Sequence, residues 1–171
     1  MKHFKNNKQR VFISELFDML SNASNQTERV EILHEYTDSS MANGKIHAMT
    51  LRGIVESVFH PDVVMALPET TPPFEEFKDG PTVEMAPKSL FNAVRSVPFF
   101  VEGTDQFIQN KLKRETFFIK QLESMFIDEA QIFLMMKDKK ITGYKGITEN
   151  LFRKAFPDWL PADTGKGGAK K

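Results

Sequence analysis

Apolar residues recur along this chain at helical spacing, and proline and glycine punctuate the recurrence, which limits the fold to short helices packed on one another. Phe12, Leu16, Met19 and Leu20 fall at i, i+4, i+7 and i+8, and Ile13 and Phe17 widen the stripe into a core-facing helix. Ser21 to Gln26 is a polar break. Asn25, with Glu28 three residues on, forms a capping-box-like start for a second helix through Val30, Leu33 and Tyr36. A loop is expected at residues 38–44. Leu51, Ile54, Val55 and Val58 then restore the pattern until Pro61, with a brief continuation over Val63, Val64 and Leu67.

Farther along, Leu90, Phe91, Val94 and Val97 predict a helix up to Pro98, followed by the short apolar segment Phe99-Phe100-Val101. The longest helix is expected from Gln106 to Phe126, with Phe118, Leu122, Met125 and Phe126 facing inward. Ile127-Asp128 reads as a staple and cap, with Asp128 the N-cap of a helix carrying Ile132, Phe133, Met135 and Met136. Thr148 caps a last helix through Leu151, Phe152 and Ala155, which Pro157 closes. From Pro68 to Pro87, five prolines alternate with Glu69, Glu75, Glu76, Asp79 and Glu84. So long a stretch without helical spacing is expected as an acidic, flexible insertion.

A length of 171 residues suits one domain, and sixteen Phe with nine Met are ample material for its core. The expectation is therefore an all-α, compact, multi-helix single domain of about six to eight helices over residues 11–161, carrying a Pro-rich acidic loop at 68–87. A flexible N-terminus (1–10) and a disordered Gly/Lys tail (162–171) flank it. The absence of Cys removes disulfides, thiolate nucleophiles and Cys-ligated zinc. No apolar run reaches the roughly 18 residues of a membrane span. Glu15 and Asp18 interrupt the one stretch that could serve as a signal peptide, so a cytoplasmic protein is expected.

Motifs for catalysis are scarce. Phe77-Lys78-Asp79-Gly80 lacks the spacer of the Lys-x-Asp-Gly nucleotidyltransferase motif and reads as a turn. His3, His34, His47 and His60 are not at metal-ligand spacing, and His60 before Pro61 suits a helix end. No phosphate-binding glycine loop or nucleophile elbow occurs. The reading is no enzyme, no metal and no cofactor.

Charge is more informative. The net charge is zero, yet residues 137–171 hold nine basic against four acidic residues, leaving fourteen against nineteen in the rest. Such an end can present an anion-binding face. Lys113 and Arg114 stand near a helix start, where cations oppose the macrodipole and add nothing to helix stability. Lys137, Lys139, Lys140 and Lys145 supply charge beside Gly146, whose backbone can approach a phosphate, and Thr148, which offers a hydroxyl.

Gly146, Thr148, Leu151, Lys154, Pro157 and Pro161, preceded by Met136-Lys137-Asp138, resemble the end of the N-terminal DNA-binding domain of bacteriophage T4-type ATP-dependent DNA ligases. Glu28 to Leu33 and Leu51 to Val55 are similar to its first helices. The chain also resembles a family of uncharacterised tailed-phage proteins with Phe-Val-Glu-Gly (Phe100 to Gly103), Met-Lys-Asp-Lys-Lys (Met136 to Lys140) and a Tyr-Lys-Gly run (Tyr144 to Thr148). The ligase resemblance implies an all-helical module that grips the backbone of duplex DNA, intact or nicked, in a replication or repair context. Lys137, Lys139, Lys140, Lys145 and Lys154 would neutralise phosphates, Gly146 and Thr148 would bind a backbone oxygen, and Lys113 and Arg114 would extend the track. The alternative is a protein–protein adaptor, or a phage protein that modulates its host, using the helical scaffold and acidic loop without DNA.

Overall fold

The computed structural model describes residues 10–77 and 83–162. Over these residues the chain is all-α, with seven α-helices, two 3-10 segments and two isolated β-bridges, Met65 with Val101 and Lys88 with Met125. The α-helices are α1 (Ile13–Ser21), α2 (Gln26–Thr37), α3 (Gly44–Phe59), α4 (Leu90–Ala93), α5 (Lys111–Glu123), α6 (Ile127–Asp138) and α7 (Glu149–Ala155). The 3-10 segments are Val83–Met85 and Val94–Phe100. Residues 1–9, 78–82 and 163–171 lie outside the described residues, and with them His3, the Lys78-Asp79-Gly80 turn and nearly all of the expected flexible ends.

Helix α3 is central and packs against α2, α4, α6 and α7, while α5 and α1 lie against α6. The phenylalanines explain why so short a chain closes a core. Phe100, Phe118 and Phe133 form a ring cluster, with centroids 5.5 Å apart for Phe100–Phe118 and 5.0 Å for Phe118–Phe133. All three are buried, as are Phe17 and Phe152. Each such side chain contributes roughly 1.5–3 kcal/mol of burial.

Local caps follow the sequence where a side chain is available to make them. Asn25 accepts the Glu28 N–H at 2.9 Å, and Glu28 reaches back one residue beyond the cap to the N–H of Ser24 at 2.7 Å. Thr148 caps α7 by accepting the Leu151 N–H at 3.2 Å. His60 is the C-cap of α3, ahead of Pro61.

Four boundaries differ from expectation. The run after Pro61 does not continue α3; Met65 instead bridges Val101, because proline removes the N–H that another helical turn needs. The helix expected up to Pro98 is one α-turn that tightens into 3-10 and runs through Pro98 to Phe100. The segment from Gln106 begins its helix only at Lys111, where the Asn110 side chain accepts the Lys113 N–H at 2.9 Å, so α3 is longer than α5. The N-cap of α6 is Phe126, which puts Asp128 and Glu129 inside the first turn. Glu129 is drawn there by donors on two other helices.

Candidate nucleic-acid interface

The basic run at the end of α6 is mostly turned inward. Lys137 is 7 % exposed, and its ammonium donates to Pro68 O (3.0 Å), Glu69 O (3.3 Å) and Asp138 Oδ1 (2.5 Å). Lys139 closes α6 with φ 56, the left-handed region that non-glycine residues rarely adopt. Its side chain shows why the conformation is kept. Nζ donates to Ser57 O (2.9 Å), His60 O (2.9 Å) and Val63 O (2.6 Å), so one ammonium closes the C-terminal end of α3 and holds the turn beyond it. Burial pushes the Lys139 ammonium below its ordinary range, but its three carbonyl acceptors require three N–H groups and favour the charged form. With every ammonium hydrogen engaged, Lys137 and Lys139 leave the phosphate track expected of them.

Arg114 is likewise committed. Its guanidinium donates to Ala66 O (2.8 Å), Ile108 O (2.8 Å) and Gln109 O (3.2 Å) and lies over the Phe107 ring. This explains a cation at the start of α5 without any ligand: it ties the irregular approach to its own helix and to the segment after α3. Lys113 is exposed, with no side-chain acceptor among the described residues.

Gly146, with φ 78, stands against Arg29 rather than against an open cradle. A Cβ there would sit 2.3 Å from the guanidinium carbon of Arg29. The Lys145 N–H donates to Ser21 Oγ at 2.8 Å, and the Thr148 hydroxyl oxygen is occupied by the α7 cap. The Tyr144 ring meets Phe17 edge to face at 5.2 Å. The loop between α6 and α7 is thus fixed to α1 and α2, and Lys140, Lys145 and Lys154 are exposed along residues 140–154. Among the described residues none of these three ammonium groups has an acceptor.

Acidic groups border this loop. Burial pushes the Tyr144 phenol up to about 12, and Asp18, Asp128 and Glu129 add in the same direction. Burial and the neighbouring Asp128 also raise the Asp18 carboxyl. The described parts of the expected flexible insertion are residues 68–77, which have no regular structure but several anchors, and residues 83–87, which open on the 3-10 segment Val83–Met85. Lys137 holds Pro68 and Glu69, Phe74 packs against the core, and the Glu75 N–H donates to Glu123 at 3.0 Å. Glu69, Glu75 and Glu76 remain exposed. Among the described residues no group of three His, Cys, Asp or Glu is placed to hold a metal, and no helix is long and apolar enough to cross a membrane.

Helical spacing does not mark the buried polar groups, and Glu129 and His47 are two of them. Glu129, 0 % exposed, accepts the Ser14 N–H (2.7 Å) and the Leu90 N–H (2.8 Å), bringing the N-terminal ends of α1 and α4 to that of α6. Burial raises its carboxyl, and the Leu90 and Ser14 donors offset part of that. His47 places Nδ1 3.1 Å from Tyr36 O and Nε2 2.7 Å from Val11 O. A Glu in an apolar helical face and a His seven residues before Ile54 on the inner face of α3 were the available signals.

No curated protein and no solved structure matches the chain. One family model does, over residues 16–143, from within α1 into the loop after α6, and stops short of Gly146. Since that match covers three quarters of the 171 residues, the chain belongs to the family of unknown function DUF6433.

Proposed function

We propose that this protein is a non-catalytic module that contacts the backbone of duplex DNA, in a phage-like replication or repair context, through the segment running from Lys140 to Lys154. The observation that carries the reading is the division among its cations. Lys137, Lys139 and Arg114 are bound to internal carbonyls, whereas Lys140, Lys145 and Lys154 reach solvent without an acceptor among the described residues. The resemblance to the ligase DNA-binding domain supports the same segment. Phosphate contacts of this kind position a protein without specifying sequence. Lys113 is a separate exposed cation on α5 that could lengthen the footprint.

Fluorescence anisotropy of labelled nicked and intact duplex, at about 50 and 200 mM salt, tests the reading. Three neutralised phosphates predict a slope of log K against log salt near −3. Changing Lys140, Lys145 and Lys154 together to Glu should abolish binding, while Lys113→Glu should weaken it less. No saturable binding by the folded wild-type protein at low salt would overturn the proposal.

The adaptor reading is favoured by a different observation: exposed Glu69, Glu75 and Glu76 ride on an anchored segment. A held acidic strip suits a basic partner surface better than a mobile one, because less ordering accompanies binding. Under that reading, the three Lys→Glu changes leave partner capture intact and Glu→Gln changes at 69, 75 and 76 remove it.

A further inference from the structure

Arg29 is a cation only 8 % exposed, and it forms no ion pair with any described carboxylate. Nε donates to Leu20 O at 2.8 Å and Nη2 to Ala23 O at 3.3 Å, so the guanidinium caps the C-terminal end of α1. Nη1 has no acceptor among the described residues. The fully buried side-chain polar atoms without a partner there are Glu35 Oε1, Thr50 Oγ1 and Glu115 Oε2, so Nη1 is not wholly closed off.

What stands beside that nitrogen is Gly146. A Cβ at Gly146 would lie 2.7 Å from Nη1 and 2.4 Å from Nε, so only the bare glycine lets the guanidinium edge share this surface. Lys145, the preceding residue, is exposed, and its backbone is pinned to Ser21 in the same turn that Arg29 caps. A nearly buried guanidinium without a counter-anion is costly, and carbonyl dipoles compensate it only in part. The unpaired Nη1 offers charge-assisted N–H donors, and with a second cation adjacent in sequence it suits the charge of a phosphate oxygen.

We propose that the unpaired Nη1 edge of Arg29, at the Gly146 turn, is a phosphate-binding site. The phosphate can be a backbone phosphodiester or a free phosphate ion. The first choice rests on the DNA reading above, and the second does not. The site adds to that reading a contact on α2, outside the lysine-rich segment, that holds its phosphate by a fixed donor rather than by a flexible ammonium.

The test is a ¹H–¹⁵N titration of the whole chain with inorganic phosphate and, separately, with a short duplex, each against chloride at matched ionic strength. Saturable shifts of the Gly146 N–H and the Arg29 Nε–Hε signals with both probes are expected. Arg29→Gln should weaken the phosphate response roughly tenfold, the effect of losing one charge-assisted contact. Should that variant unfold for want of its α1 cap, the wild-type signals still decide. Phosphate binding without duplex binding supports the site and overturns the DNA reading. Duplex binding that leaves both signals unmoved, with no response to phosphate, overturns the site and leaves the DNA reading standing.

Discussion

Glu129 and Ser14 are 115 positions apart in the chain, and the carboxylate of the first accepts the backbone N–H of the second at 2.7 Å. The other carboxylate oxygen takes the Leu90 N–H at 2.8 Å. One buried side chain therefore satisfies helix-end donors of α1 and α4 from the first turn of α6, where water cannot replace it. Glu129→Gln keeps the shape but turns an amide N–H₂ toward one of those donors. It should cost roughly 1–3 kcal/mol, and Glu129→Ala, which leaves both donors unpaired, roughly 2–5 kcal/mol. Urea denaturation followed by the fluorescence of Trp159, the chain's one tryptophan, measures both. Stability unchanged in both variants would mean that the two N–H groups find water.

Lys139 combines a left-handed backbone with a saturated ammonium, and the two effects separate by mutation. Lys139→Ala loses the capping of α3 and retains the strained φ. Lys139→Gly loses the same capping but relieves the backbone by roughly 1 kcal/mol. Both variants should be destabilised, the alanine more so. Equal stability of alanine and wild type would show that the ammonium contacts contribute nothing. Lys139→Glu is expected to disturb folding itself, so it is unsuitable as a probe of DNA binding.

His47 predicts a pH dependence. Burial lowers its pKa from the ordinary 6.5, and the Val11 and Tyr36 carbonyls offset only part of the effect. In the unfolded chain the imidazole takes up its proton near 6.5, before the folded protein does. Its contribution to stability is therefore complete above that pH and is lost as pH falls from 6.5 through the lower folded value. Thermal melts between pH 8 and 5 should show declining stability, with a shallower decline in His47→Gln. An identical pH profile in the variant would remove His47 as the cause.

Helical spacing was enough to locate the core, because a buried stripe is a property of one segment: Leu16, Phe17, Leu51, Ile54, Phe133 and Leu151 all face inward as expected. The same holds for caps made within a few residues, as with Asn25 and Thr148. Contacts between distant segments left no such mark. A lysine that caps a helix some eighty positions away has the same local sequence as one that meets a phosphate, so Lys137 and Lys139 could not be told from Lys140. In sequence Gly146 looks like an opening for phosphate, but its bare Cα accommodates Arg29 from α2. Proline density suggested a flexible insertion at 68–87 because proline breaks regular structure; it says nothing about what side chains hold the carbonyls in place.

The anchor on that insertion makes the last prediction. The Lys137 side chain joins Asp138 to the carbonyls of Pro68 and Glu69, and its ammonium is buried against them. Lys137→Met preserves most of the stem's packing while leaving those carbonyls without their donor. Residues 68–77 have no regular hydrogen bonding of their own, so local opening should become easier with little loss of global stability. Cleavage at Glu69, Glu75 and Glu76 by a glutamate-specific protease reads this directly, because proteolysis follows the population of the opened segment. The variant should be cut several-fold faster than wild type at matched urea midpoints. Equal cutting rates would place the hold on the segment elsewhere, at Phe74 and at the Glu75 contact with Glu123.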